Sequence, residues 1–226
     1  MTLRIYEDLE QGSDAWLEAR CGMLTASNVG KLLTATGQIA NNDTSRGLTE
    51  TLVAERITGT VDYVHPNFDM QLGTLNEPYA RDFYSEHYGQ VVEAGFAVNE
   101  FNGHKLGASP DGLLGSDGGV EFKSRRPKIH LRTILSNQVP AENIDQIQTL
   151  MLVWERSWWK YVSYCGGYPL HVIHVEADLK RQAIILDAHR KFEDNAAVME
   201  ADYRAITEGR PVAPLIDHFA EIEIAA

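Results

Sequence analysis

The stretch that most limits how this chain can fold is Gly115-Ser116-Asp117-Gly118-Gly119. A cluster of turn-forming residues between two short apolar runs specifies a tight β-hairpin. Folding about Ser116 or Asp117 sets Asp111, in Ser109-Pro110-Asp111-Gly112, opposite Glu121 or one residue off it, in Glu121-Phe122-Lys123. Directly opposed side chains lie about 5 Å apart at Cβ. Side chains alternate along a strand, so Glu121 and Lys123 share a face while Phe122 points the other way, into the core.

Two carboxylates forced together repel. They are stable when a cation sits between them or when one takes a proton. A hard divalent ion such as Mg²⁺ suits them, because it takes oxygen ligands, accepts few protein carboxylates and keeps positions for water and phosphate. A lysine beside such a site holds a water or offsets charge building on a phosphate. These are the parts for metal-assisted phosphodiester hydrolysis. A surface hairpin with scattered charges is the plain alternative.

The rest of the pattern is that of one α/β domain over residues 1–226, with a central mixed β-sheet flanked by helices. Ser13 caps a helix through Trp16 and Leu17 to Arg20, and Thr25 or Ser27 caps a short one over Asn28 to Leu33. Apolar spacing predicts helices over Arg46–Thr58, Gly73–Tyr88, Pro127–Ser136 and Glu142–Glu155. Residues 65–72, with Met70, read as irregular, and a last helix over Asp178–Glu208 reads as breakable near Asp194-Asn195. Strands are expected at Val91–Asn99, Lys105–Ser109, Asp111–Leu114, Val120–Ser124, Trp158–Tyr164 and Leu170–Val175.

Net charge taken alone argues against a nucleic-acid binder, which is usually basic: 20 Lys and Arg stand against 32 Asp and Glu, a net −12. The distribution is uneven. From Glu193 to the end there are eight acids and two arginines, whereas Lys123, Arg125, Arg126, Lys128 and Arg132 fall within ten residues free of acids. Such a strip is a solvated helix face or an anion site. Two cysteines are too few for a disulfide framework and suit a reducing cytoplasm. No apolar run is long enough to span a membrane. His171 and His174 point to opposite faces of a strand, and His65, His104 and His130 have no partner at ligand spacing.

The Asp111…Glu121-x-Lys123 pattern after Pro110 is that of PD-(D/E)xK nucleases. Three further stretches point the same way: Gln11-Gly12-Ser13-Asp14-Ala15-Trp16 on through Arg20, Gly22 and Thr25-Ala26-Ser27; Gly73-Thr74-Leu75-Asn76-Glu77; and Asp145-Gln146-Ile147-Gln148 followed by Trp158-Trp159-Lys160-Tyr161. In order and approximate separation they resemble the family of lambda exonuclease and the YqaJ-type viral recombinases, over about Glu10 to Tyr164.

The resemblance implies a restriction-endonuclease-like core and a 5′→3′ double-stranded DNA exonuclease. Such an enzyme releases mononucleotides and leaves a 3′ single-stranded tail for an annealing protein. It implies two Mg²⁺ ions, with Mn²⁺ as a substitute, held by Asp111, Glu121, Glu77 and the Phe122 carbonyl. Lys123 would position or activate the attacking water, and Gln146 rather than Gln148 would orient the site. Arg20, Thr25 and Ser27 would grip the 5′ phosphate, and Arg125, Arg126 and Lys128 are expected on DNA phosphates. A homotrimeric ring in a bacterial host cytoplasm is the implied setting. On spacing alone other readings stay open: Glu77 in an i, i+4 pair with Arg81, Arg20 as a surface arginine beside a helix cap, and Gln146 facing solvent. An endonuclease of the same fold and a non-catalytic DNA-binding scaffold are the competing functions.

Overall fold

The computed structural model describes residues 2–34, 36–61 and 67–216. His65 and the last ten residues, with Asp217, Glu221 and Glu223, lie outside them. In chain order the elements are β1 (Arg4–Tyr6), α1 (Asp14–Arg20), a 3₁₀ turn (Val29–Leu32), α2 (Asp43–Thr58), α3 (Phe68–His87), β2 (Phe96–Phe101), β3 (His104–Ala108), β4 (Gly112–Leu114), β5 (Gly118–Ser124), α4 (Pro127–Ser136), α5 (Ala141–Trp154), β6 (Trp158–Tyr164), β7 (His171–Glu176) and α6 (Leu179–Thr207).

The strands form two sheets. One is antiparallel, in the order β1-β2-β3, and the other is mixed, in the order β4-β5-β6-β7 with β5 and β6 parallel. Strands β5 and β6 at the centre of the mixed sheet are largely buried on both faces, and alternation along them sorts the side chains. Val120, Phe122 and Val162 face Ala80 and Tyr84 of α3, with Tyr84 edge-on to Phe122 at 5.8 Å. Trp159 and Tyr161 face the other way, onto Ile147, Leu150 and Met151 of α5 and Ile185 and Phe192 of α6. Glu121 lies between Val120 and Phe122, so it shares the α5 side.

Local chemistry explains most element ends. The Ser13 hydroxyl accepts from the Trp16 N–H at 3.2 Å and starts α1. Asn42 and Ser45 form a reciprocal cap at the start of α2, and Gly59 ends it at φ 72. Several expectations change, among them the following. The N-cap of the 3₁₀ turn is Asn28, without a side-chain bond. Helix α3 begins at Phe68, five residues before Gly73, because the Asn67 side chain caps it by accepting from the Met70 N–H at 2.9 Å. Met70 is therefore in the first helical turn rather than in a loop. Helix α6 runs through Asp194-Asn195 unbroken, since Ile185, Ala188, Phe192 and Ala196 keep it seated at helical spacing. Finally, Gly118 and Gly119 are strand residues. A Cβ on either would stand 2.1 or 2.2 Å from the rings of Trp158 and Trp159, so glycine there answers to packing as much as to the turn.

Candidate active site

The hairpin register pairs Gly112 with Val120 and Leu113 with Gly119, so the next position sets Asp111 against Glu121. Asp111 accepts from the Phe122 backbone N–H at 2.6 Å. Glu121 is buried, at 2% exposure. Its Oε1 accepts from Lys123 Nζ at 2.5 Å and from Gln146 Nε2 at 2.6 Å. Its Oε2 is buried with no hydrogen-bond partner among the described residues. Gln148 points elsewhere: it donates to the Glu176 carbonyl at 2.9 Å and accepts from the Asp178 N–H at 2.9 Å. Two positions on a helix are about 200° apart, which is why one glutamine of the pair meets the site.

The electrostatics are those of crowded carboxylates. Burial, then Glu121 and Glu77 beside it, push the Asp111 carboxyl well above its ordinary range. Burial also raises Glu77, against the pull of Arg81. For Lys123 burial favours the neutral amine, but Glu121 and Asp111 outweigh it and hold the ammonium above its ordinary range.

Glu77 is one turn before Arg81 on α3 and pairs with it through Arg81 Nη2. Arg81 Nη1 also reaches Glu93 Oε1 at 2.7 Å. These residues line a cavity of about 380 Å³ that opens onto Ser109, Pro110 and Asp111 and is walled on its far side by residues 7–11. Among the described residues, no group of three or more His, Cys, Asp or Glu side chains is placed to hold a metal ion by itself.

Arg20, Thr25 and Ser27 do meet. Arg20 Nη2 donates to Thr25 Oγ1 at 3.4 Å, and the Thr25 and Ser27 hydroxyls are 3.1 Å apart. The Arg20 guanidinium lies 4.2 Å from the Trp16 ring centroid, and burial lowers its pKa against the pull of Glu55. Trp16 Nε1 donates to Ser109 Oγ at 2.9 Å, which ties this cradle to the residue two before Asp111. The turn between Arg20 and Thr25 is held from α2: Glu55 Oε2 accepts from the Gly22 N–H at 2.8 Å and Arg56 Nε donates to the Gly22 carbonyl at 2.7 Å. Sequence reasoning missed Trp16, Ser109, Glu55, Arg56 and Glu93. Each acts across a long separation in sequence, where no periodic signal exists.

The basic strip divides. Arg125 turns inward, to Asn143, to the Tyr161 hydroxyl at 3.3 Å and to Glu142 at 3.8 Å. Arg126 is exposed, bonded to Asp69 Oδ1 at 2.8 Å and lying over the Phe68 ring. Lys128 is exposed on the first turn of α4.

A model of the YqaJ-like viral recombinase domain matches residues 15–157, a span that holds both the carboxylate pocket and the Arg20 cradle. The chain belongs to that family. Its structure is similar to an alkaline exonuclease, LHK-Exo from Laribacter hongkongensis, at 30% identity and TM-score 0.77, covering 86% of this chain and 98% of that one. The LHK-Exo complex with dAMP matches over the same shares at 30% identity and TM-score 0.76. A phage-related exonuclease from Haemophilus somnus 129PT, 12% identical, shares the fold at TM-score 0.53 over 78% of this chain and 96% of that one. No curated protein sequence gives a significant match. The fold is therefore the mixed α/β, PD-(D/E)xK type, and membership of this family supports a nuclease role. No helix among the described residues is long and apolar enough to cross a membrane.

Proposed function

We propose that this chain is a Mg²⁺-dependent 5′→3′ exonuclease of double-stranded DNA that leaves a 3′ single-stranded tail for strand annealing. The observation that carries the reading is Glu121. A buried carboxylate holds a lysine and a glutamine on one oxygen and keeps the other unpartnered, beside Asp111. A structural ion pair leaves no such oxygen, because an unmet buried acceptor costs about 1–3 kcal/mol. The donor set suits Mg²⁺: hard oxygens, few carboxylates and open space for water and phosphate.

Asp111, Glu121, Glu77 and the Phe122 carbonyl would hold the ions; Mn²⁺ would serve as well. When bound, such ions supply charge stabilisation at the scissile phosphate and a water of lowered pKa. Lys123, held charged by Glu121 and Asp111, would donate to the attacking water and fix its direction. Gln146 keeps Glu121 in the rotamer that frees Oε2. Arg20, Thr25 and Ser27 offer a guanidinium and two hydroxyls to a terminal 5′ phosphate, and Trp16 sets their distance from the carboxylates through Ser109. Arg126 and Lys128 stand outward for backbone phosphates, while Arg125 adds its charge from the inner wall.

The alkaline exonuclease neighbours support removal of nucleotides from an end. A homotrimeric ring around DNA in the bacterial cytoplasm, working with an annealing protein, reconciles the net charge of −12 with a DNA substrate. DNA would meet the basic inner wall and be repelled by the acidic exterior.

The test is digestion of linear duplexes labelled at the 5′ or the 3′ end, with and without Mg²⁺, against a covalently closed circle. Early loss of the 5′ label, no loss without the ion and an intact circle are expected. Early loss of the 3′ label would overturn the polarity, and cutting of the circle would make the enzyme an endonuclease.

A further inference from the structure

The Glu77 carboxylate faces two demands: the ion site across the pocket, and Arg81 on its own helix. Arg81 places its Nη2 on Glu77 and its Nη1 on Glu93 at 2.7 Å, while its Nε is buried with no partner among the described residues. The Arg81 and Glu77 side chains are 17% and 26% exposed, whereas Glu93 is 76% exposed. A planar guanidinium with an unmet Nε is placed by the two carboxylates at its tip and not by an enclosing set of acceptors. Glu77 meanwhile feels Glu121 and Lys123 as well as Arg81.

We infer that Arg81 is a positioning residue that sets how strongly a divalent ion binds, acting through Glu77, with Glu93 as the counterweight that loosens its hold. This deepens the nuclease reading and rests on it. Arg81 holds the Glu77 carboxylate at the edge of the pocket, near Asp111 and Glu121, and competes with the ion for it. Glu93 offers the same guanidinium a second carboxylate, so Arg81 has somewhere to spend its charge when Glu77 turns to the ion. The two acids sit on different segments, α3 and the approach to β2, so the balance also depends on how α3 lies against residues 91–95.

The experiment is Mn²⁺ binding to the full chain without DNA, read by electron paramagnetic resonance of the free ion, so that catalysis plays no part. Arg81→Gln should bind Mn²⁺ about tenfold tighter, because Glu77 is released to the ion, and Glu93→Gln about twofold to threefold weaker, because Arg81 then holds Glu77 harder. Arg81→Lys, which keeps the charge without the fork, should fall between Arg81→Gln and the wild type. In a Glu77→Gln background both shifts should shrink below about twofold, as coupling through Glu77 requires. Two outcomes overturn the inference alone: shifts that persist in that background, which would mean a field effect without Glu77, or an affinity unchanged in folded Arg81→Gln and in Glu93→Gln. Glu93 is exposed, so its variant reads the coupling even where Arg81→Gln fails to fold. Absence of saturable Mn²⁺ uptake by the wild type, or uptake unaltered in Asp111→Asn, would overturn the ion site itself and this inference with it.

Discussion

Two regions of this protein bury carboxylates beside cations, and they resolve the charge in opposite ways. Between α2 and α6, Arg56 makes two bonds of 2.9 Å to Glu193, a third of 3.4 Å to Glu200, and turns its Nε to the Gly22 carbonyl. Burial works to raise the Glu193 carboxyl, but His189 and the Arg56 guanidinium outweigh it and hold it at about 2. In the pocket on β5 the same residue types are left short of partners: Glu121 keeps an unmet oxygen, and Asp111 is pushed well above its range. In the first region the chain itself meets both oxygens of the carboxylate, although His189 Nε2 stays 3.6 Å from Glu193 Oε1, beyond hydrogen-bond distance. In the second, on the function proposed above, a bound ion would complete the set. Buried charge by itself therefore says little about function. What separates the two is whether both oxygens of the buried carboxylate have been met, as they are in Glu193 and are not in Glu121.

The largest expected effect separates activity from stability. Asp111→Asn should reduce Mg²⁺-dependent digestion of a linear duplex by about a thousandfold or more. Its thermal midpoint should equal or exceed that of the wild type, because a carboxylate under repulsion from Glu121 and Glu77 has been removed. A lower midpoint would place the two regions in the same class. Arg56→Ala should do the converse. It removes both short bonds to Glu193, leaving that carboxylate with His189 at 3.6 Å and His104 at 3.9 Å, and takes away one of the two bonds from α2 to Gly22, at a cost of about 3 kcal/mol in urea unfolding. That is the low end for a broken buried pair, since the Arg56 side chain is 25% exposed. Mn²⁺ binding should be unaffected.

The pH dependence sharpens the same contrast. A carboxylate depressed in the folded state contributes stability that is present above its unfolded pKa and is lost as pH falls through the folded one. For Glu193 that window runs from its ordinary 4.5 down to about 2. Glu193→Gln should flatten the fall in unfolding free energy across this window, and a slope equal to that of the wild type would show that the pair with Arg56 contributes nothing. The smallest effect belongs to Gln146→Ala. Losing one donor that orients Glu121 should lower the rate and the Mn²⁺ affinity together, each by about tenfold or less.

Much of the pocket was legible before any fold was known. The glycine-rich turn and strand alternation place Asp111, Glu121 and Lys123 on one face, and the structure has that juxtaposition. One local cap was legible, that of Ser13 on Trp16 three residues on. The start of α3 was not, because residues 65–72 read as irregular, whereas Asn67 caps the helix and Ala80 and Tyr84 seat it against β5. The roles of Gly118 and Gly119 were half legible: the turn was visible, but the indole rings that lie over them come from β6.

What the amino-acid order determined by itself is therefore short in range: turns, caps, strand faces, and the i, i+4 pairing of Glu77 with Arg81. Tertiary structure decided which glutamine of α5 meets Glu121, that Glu93 joins Arg81, that Arg125 turns inward, and that Arg56 reaches across 137 positions to Glu193. Propensity and periodicity act over a turn or a strand repeat, whereas these contacts exist once packing of α3, α5 and α6 on the sheets has set the distances.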